Sequence, residues 1–245
     1  MKKVVINSVL LSSLLFSALA FGDASFAEKV AERQIDAQIT FEENNETVPP
    51  VDPLEPPEVV DPEGPNPPGT PGPLSIDFAS PLKFGKQKIT SIDKTYHAAA
   101  QKLTDKDGVQ QERPNYVQVT DNRGTLKGWT LSVKQDGQFK TETGNELKGA
   151  KVTFMNAQAA SDSESKDPST LLTELDLTSD GNGALTNVFS AKNDEGAGTW
   201  IYRFGDENTQ DSSIKLDVPG KTTKLKDTPY KATITWALSD IPGNS

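Results

Sequence analysis

The chain has 245 residues, a formal charge of −10 and no cysteine. That length allows one or two domains with one sizeable core, while the absent thiols exclude a disulfide framework, a thiolate nucleophile, a sulfur-ligated metal and a lipidated cysteine anchor. The acidic balance disfavours nucleic acid, an anionic membrane surface and teichoic acid as electrostatically held ligands.

Residues 1–27 read as an export signal. Lys2-Lys3 supplies the charged start, Val4 to Phe21 is mostly apolar, and Ser25-Phe26-Ala27 places small residues where cleavage before Glu28 needs them. Downstream no run approaches 18 apolar residues, and no Leu-Pro-x-Thr-Gly signal precedes a hydrophobic tail. Retention at a cell surface is therefore expected to be non-covalent, without membrane insertion of the exported chain.

Ile35, Ala37, Ile39 and Phe41 alternate with Asp36, Gln38 and Thr40, which predicts an isolated strand that must find a distant partner. Residues 42–73 follow with 11 of the 17 prolines, eight acidic residues and no lysine or arginine. Proline removes amide donors and unopposed carboxylates repel, so this run is expected to be a disordered, extended loop or linker without a core.

From Leu74 onward short alternating segments recur with turn residues between them. They are Leu74–Phe78, Tyr116–Thr120, Trp129–Val133, Ala150–Phe154, part of Leu172–Leu177, Asn187–Ala191, Thr199–Phe204, Ile214–Val218 and Ala232–Leu238. Gln135-Asp136-Gly137 reads as a hairpin turn. The spacing predicts an all-β, antiparallel sandwich or barrel-like domain, with little room for helix.

Two of these strands share a pattern: Gly128-Trp129-Thr130-Leu131-Ser132-Val133, and Tyr230-Lys231-Ala232-Thr233-Ile234-Thr235-Trp236-Ala237-Leu238 closing at Ile241-Pro242. With the opening Ala37–Glu42 and Gly72–Phe78 after the proline run, they make the chain from residue 28 to 245 resemble the WxL domain of Gram-positive surface proteins. The resemblance implies a non-catalytic domain held non-covalently on the cell wall, with peptidoglycan as ligand. Further partners it implies are membrane-anchored WxL-interacting surface proteins or host matrix; the alternative is an adhesion or complex-assembly module binding another surface protein or a host ligand.

No residue pattern selects a catalytic site, a metal or a cofactor. His97 is the single histidine, and no nucleophile motif accompanies it. Asp105-Lys106-Asp107-Gly108 and Asp180-Gly181-Asn182-Gly183 are faintly calcium-like, but turn chemistry explains both. The aromatic residues could build a sugar-stacking platform, and the candidate ligand-binding residues are Trp129, Leu131, Tyr230, Trp236 and Leu238. Two readings stay open: both tryptophans flank an exposed groove, or they pack in the core and binding lies on loops.

Overall fold

The computed structural model describes residues 31–178 and 183–242; the expected export signal and most of Asp180–Gly183 lie outside them. The chain divides into two units, the first ending at Thr40 and the second beginning at Phe41. In the first unit, residues 31–40 form no strand, and Ile35 and Ile39 are exposed. The strand expected over Ile35–Phe41 is therefore a correction: among the described residues no strand pairs with it to satisfy its amides.

The second unit is all antiparallel β-structure, with no helix among the described residues. Its strands in order are β1 (Asp61–Pro62), β2 (Leu74–Ala79), β3 (Lys94–His97), β4 (Gln101–Thr104) and β5 (Gln110–Arg113). Next come β6 (Tyr116–Asp121), β7 (Trp129–Lys140), β8 (Lys151–Phe154), β9 (Ala157–Ala160) and β10 (Thr170–Leu171). The remainder are β11 (Leu175–Asp176), β12 (Thr186–Ala191), β13 (Gly198–Phe204), β14 (Ile214–Val218) and β15 (Lys231–Ser239). Three four-stranded sheets, ordered β10-β12-β7-β15, β2-β6-β13-β9 and β11-β8-β14-β3, form a barrel-like ring, and β1-β4-β5 is a smaller sheet beside them.

The ring encloses one large core. Val117, Val119, Trp129, Leu131, Val133, Phe189, Trp200, Tyr202 and Phe204 converge there, each contributed by alternate positions of its strand. Strand β6 is buried at all six positions, unlike a strand with one wet face, because its outer face carries a second cluster of Val51, Phe78, Tyr116 and Ile201.

That second cluster corrects the expectation for the proline-rich run. Residues 50–60 fold back on themselves, with Val60 N–H donating to Pro50 O (3.0 Å) and Asp52 N–H to Glu58 O (2.8 Å). Gln118, fully buried, staples this hairpin to β6: its side-chain carbonyl accepts from Val51 N–H (2.9 Å) and its amide donates to Pro49 O (3.0 Å). Asp52 adds an ion pair with Arg113 Nε at 2.8 Å, the carboxylate side chain being only 4% exposed. Long-range side-chain bonds thus replace the local ladder that proline denies this segment.

Gln135-Asp136-Gly137 is likewise not a turn. Strand β7 runs unbroken from Trp129 to Lys140, and Gly137, at φ +80°, lies where the register with β15 shifts between Lys231 and Thr233. The tolerance of glycine for positive φ is used for a bulge within a long strand.

Candidate functional site

The two Trp-x-Leu strands are hydrogen-bonded neighbours. Strand β15 pairs with β7 so that Trp236 lies opposite Val133 and Leu238 opposite Leu131. Directly opposed residues of an antiparallel pair share a face, so both motifs point inward. Their positions within the sheet then separate them.

Strand β7 is interior, bonded on one side to β12 and on the other to β15. Trp129 and Leu131 are accordingly fully buried. The Trp129 indole N–H donates to Gly196 O at 2.9 Å, and its ring meets Phe189 edge-on at 5.2 Å. Gly196 (φ +71°) lies so close that a β-carbon there would stand 2.9 Å from Trp129 Nε1. Gly128, at φ +75°, passes so near β12 that a β-carbon would stand 2.3 Å from Ala191 O. An exposed groove flanked by both tryptophans is thereby excluded, and Trp129 is a core residue.

Strand β15 is the edge of its sheet, and Trp236 and Leu238 are half-buried. Trp236 forms one wall of a cavity of about 350 Å³ with Ala232 and Ile234. Leu82 and Phe84 line it from the segment after β2, and Phe139, Phe154 and Phe204 come from inside the ring. The Trp236 ring lies 5.9 Å from Phe154, edge-on, and 6.3 Å from Phe204. A ladder of rings, Trp129 to Phe189 to Tyr202 to Trp236, links the buried tryptophan to the half-exposed one.

Next to this aromatic slot, also touching Ala232, is a groove of about 280 Å³ with a mostly apolar floor, bordered by the charged side chains of Asp136, Lys140, Glu142 and Lys231 among others. Asp136 is held below the usual carboxylate range by the Lys134 ammonium at 2.6 Å and by the Thr235 hydroxyl. The two grooves together make an amphipathic strip along β15: ring faces at Trp236, charged tips toward Lys231. Such a surface suits a ligand with both C–H faces and hydroxyl or amide groups.

Tyr230 precedes β15 and does not line the slot. Its hydroxyl accepts from Leu225 N–H (3.1 Å), and its ring packs against the core. Leu238, beside Leu131, also serves the core. Of the five candidates only Trp236 borders the slot; Phe84, Phe154, Phe204 and Ile234 join it, and sequence reasoning had not singled them out. Their alternation marked Phe154 and Phe204 as strand residues, but nothing local marked the gap they border.

His97 stands exposed on β3 opposite Lys215. The Asp105 loop is a hairpin turn between β4 and β5, whose carboxylate accepts from Asp107 N–H, Val109 N–H and Gln111 Nε2 at 2.8–2.9 Å. No cluster of His, Cys, Asp or Glu able to hold a metal occurs among the described residues, nor is any described helix long and apolar enough to cross a membrane.

Comparison with curated proteins finds no match, and neither does comparison with solved structures. The family profile described as WxL domain surface cell wall-binding matches residues 28–242. With both Trp-x-Leu strands inside the matched region and paired with each other, the chain belongs to the WxL family of surface cell wall-binding domains.

Proposed function

We propose that this wall-binding surface protein is a non-catalytic module of a Gram-positive envelope that binds peptidoglycan along the β15 strip. In this reading residues 1–27 direct export, residues 28–245 form one wall-binding domain, and the exported chain is retained on the outer surface without a covalent link. The observation that carries it is the half-exposed Trp236 at the mouth of an aromatic slot, beside a groove bordered by charged side chains. Ring faces stack on the C–H faces of a saccharide, while Lys140 and Lys231 face its carboxylates and carbonyls. Trp129, Leu131 and Leu238 support the strip from behind, and Tyr230 fixes the chain entering β15.

The slot itself is lined by apolar side chains with Ser80, Asn115 and Tyr116 as its polar members; the carboxylates of the strip, Asp136 and Glu142, lie in the neighbouring groove, where Asp136 is tied to Lys134 and Thr235. The test is a pull-down on purified sacculi with soluble peptidoglycan fragments as competitor. Binding of the wild type, displacement by the fragments, and binding at least about 30-fold weaker for Trp236→Ala are expected, the effect of losing one well-seated aromatic anchor. Undiminished binding of that variant overturns the assignment.

A further inference from the structure

The longest unpaired strand edge is that of β15. Among the described residues it bonds only to β7, leaving the amide and carbonyl groups of alternate residues along a nine-residue strand pointing outward, with no proline and one lysine, Lys231, to blunt them. The edge of β2 is covered, since Thr70 N–H donates to Ile76 O (2.9 Å) and Ile76 N–H donates to the Thr70 hydroxyl (2.8 Å). Strand β3, at another edge, is only four residues long. The same molecule carries an alternating apolar segment in which Ile35, Ile39 and Phe41 are 82%, 76% and 84% exposed.

We propose that Ile35–Phe41 of one copy adds as an antiparallel strand to the edge of β15 in a second copy, seating its apolar side chains in the slot at Trp236. One register satisfies the whole segment. Placing Phe41 opposite Ala232 sets Ile39 against Ile234, Ala37 against Trp236 and Ile35 against Leu238, so the largest residue on each strand faces alanine on the other. The outward face then pairs Thr40 with Thr233, a favourable cross-strand partner, and sets the polar Gln38 against Thr235.

The ends agree as well. Glu42 falls opposite Lys231 and Arg33 opposite Asp240, all four exposed. Lys231 pairs directly with Lys140 across β7, a like-charge pair with no ion pair to either lysine among the described residues. An incoming Glu42 would relieve that repulsion. A parallel arrangement loses both charge matches and sets Phe41 against Leu238.

The donor must be a second copy, because Asn44 N–H is bonded to Asn122 O (3.3 Å). Asn122 adjoins Arg123, whose guanidinium donates to Gly128 O (2.7 Å) at the Trp129 end of β7. Lys231 lies against Lys140 at the opposite end of that strand. Twelve strand residues extend about 36 Å, whereas the two-residue step from Asn44 to Glu42 covers about 7 Å. A chain's own Glu42 cannot reach its own Lys231. Each copy then offers one donor and one acceptor, which closes as a reciprocal pair or continues as a chain. Because donor and glycan would share Trp236, wall binding and self-assembly exclude one another; the strand inference itself does not rest on the glycan reading.

The chain lacks cysteine, so introduced thiols are unambiguous. Thr40→Cys protein is mixed with Thr233→Cys protein and oxidised, with Thr235→Cys as the out-of-register control. A disulfide joining the two different chains, at least several-fold more abundant than with the control, is expected. Light scattering should show the wild type assembling as concentration rises, and Ile39→Asp, at an exposed position, remaining single with an unchanged melt. A chain that stays single at every concentration, a mixture that cross-links no better than its control, or a Thr40→Cys/Thr233→Cys double variant that closes within one chain overturns the proposal. Binding of Ile39→Asp to sacculi reads the glycan site separately, since that variant keeps Trp236.

Discussion

Replacing each tryptophan by alanine separates what the two motifs do. Trp129 is fully buried, so truncation leaves a cavity whose cost is about 3–5 kcal/mol for an aromatic side chain. It also strips the Gly196 carbonyl of the indole N–H that satisfies it, a further penalty of about 1–3 kcal/mol. The sum, about 4–8 kcal/mol, is a large share of a typical domain stability of about 5–15 kcal/mol. At about 2–4 °C per kcal/mol for a domain of this size, the midpoint falls by at least roughly 8 °C and by as much as about 30 °C. Trp236 is half-buried at an edge, and its truncation should cost about 2 kcal/mol and lower the midpoint by roughly 4–8 °C. Calorimetric melts paired with sacculi pull-downs well below each midpoint read both quantities. Trp129→Phe should still bind the wall, and Trp236→Ala should not. Loss of wall binding by a Trp129→Phe protein that melts like the wild type would refute the reasoning, because it would require the buried indole to touch ligand.

Gly128→Ala combines positive φ with a backbone clash against Ala191 O and Lys192 O, so it should lower stability by at least about 2 kcal/mol, measurable by urea denaturation. Arg113→Ala leaves the Asp52 carboxylate buried without its cation and should cost about 3–5 kcal/mol; hydrogen exchange at Val51 N–H should accelerate as the proline hairpin lifts. Acid stability turns on Glu195. Burial pushes its carboxyl up, but the amides of Lys192 and Ser169 and the Lys166 ammonium outweigh that and bring it down to about 2. A depressed carboxyl stabilises the fold above its ordinary value of 4.5 and loses that contribution as pH falls toward 2, so Glu195→Gln should flatten this part of the melt-versus-pH curve. Asp77 has the opposite sign. Burial raises its carboxyl against hydrogen bonds from Ser75, Thr120 and Gln118, so its contribution is full below 3.8 and declines as pH rises through the raised value; Asp77→Asn should remove that decline.

Alternation of apolar and polar residues was enough to locate most of the long strands and the all-β class, because a two-residue period reports which side chains a pleated backbone sends to one face. The family pattern around Trp129 and Trp236 was equally visible, as both motifs are continuous in the chain. Short strands such as β4 and β5 escaped notice, since four polar-rich residues carry little periodicity. The proline run misled because its bonds are long-range: Gln118 and Arg113 hold Pro49, Val51 and Asp52 across more than 60 residues, and no local rule reports such partners. Two Trp-x-Leu tripeptides also could not disclose their different fates. Trp129 lies on an interior strand and Trp236 on an edge, and strand order within a sheet is set by which distant segments pair, so only the tertiary structure decided that one indole is core and the other stands at the mouth of a slot.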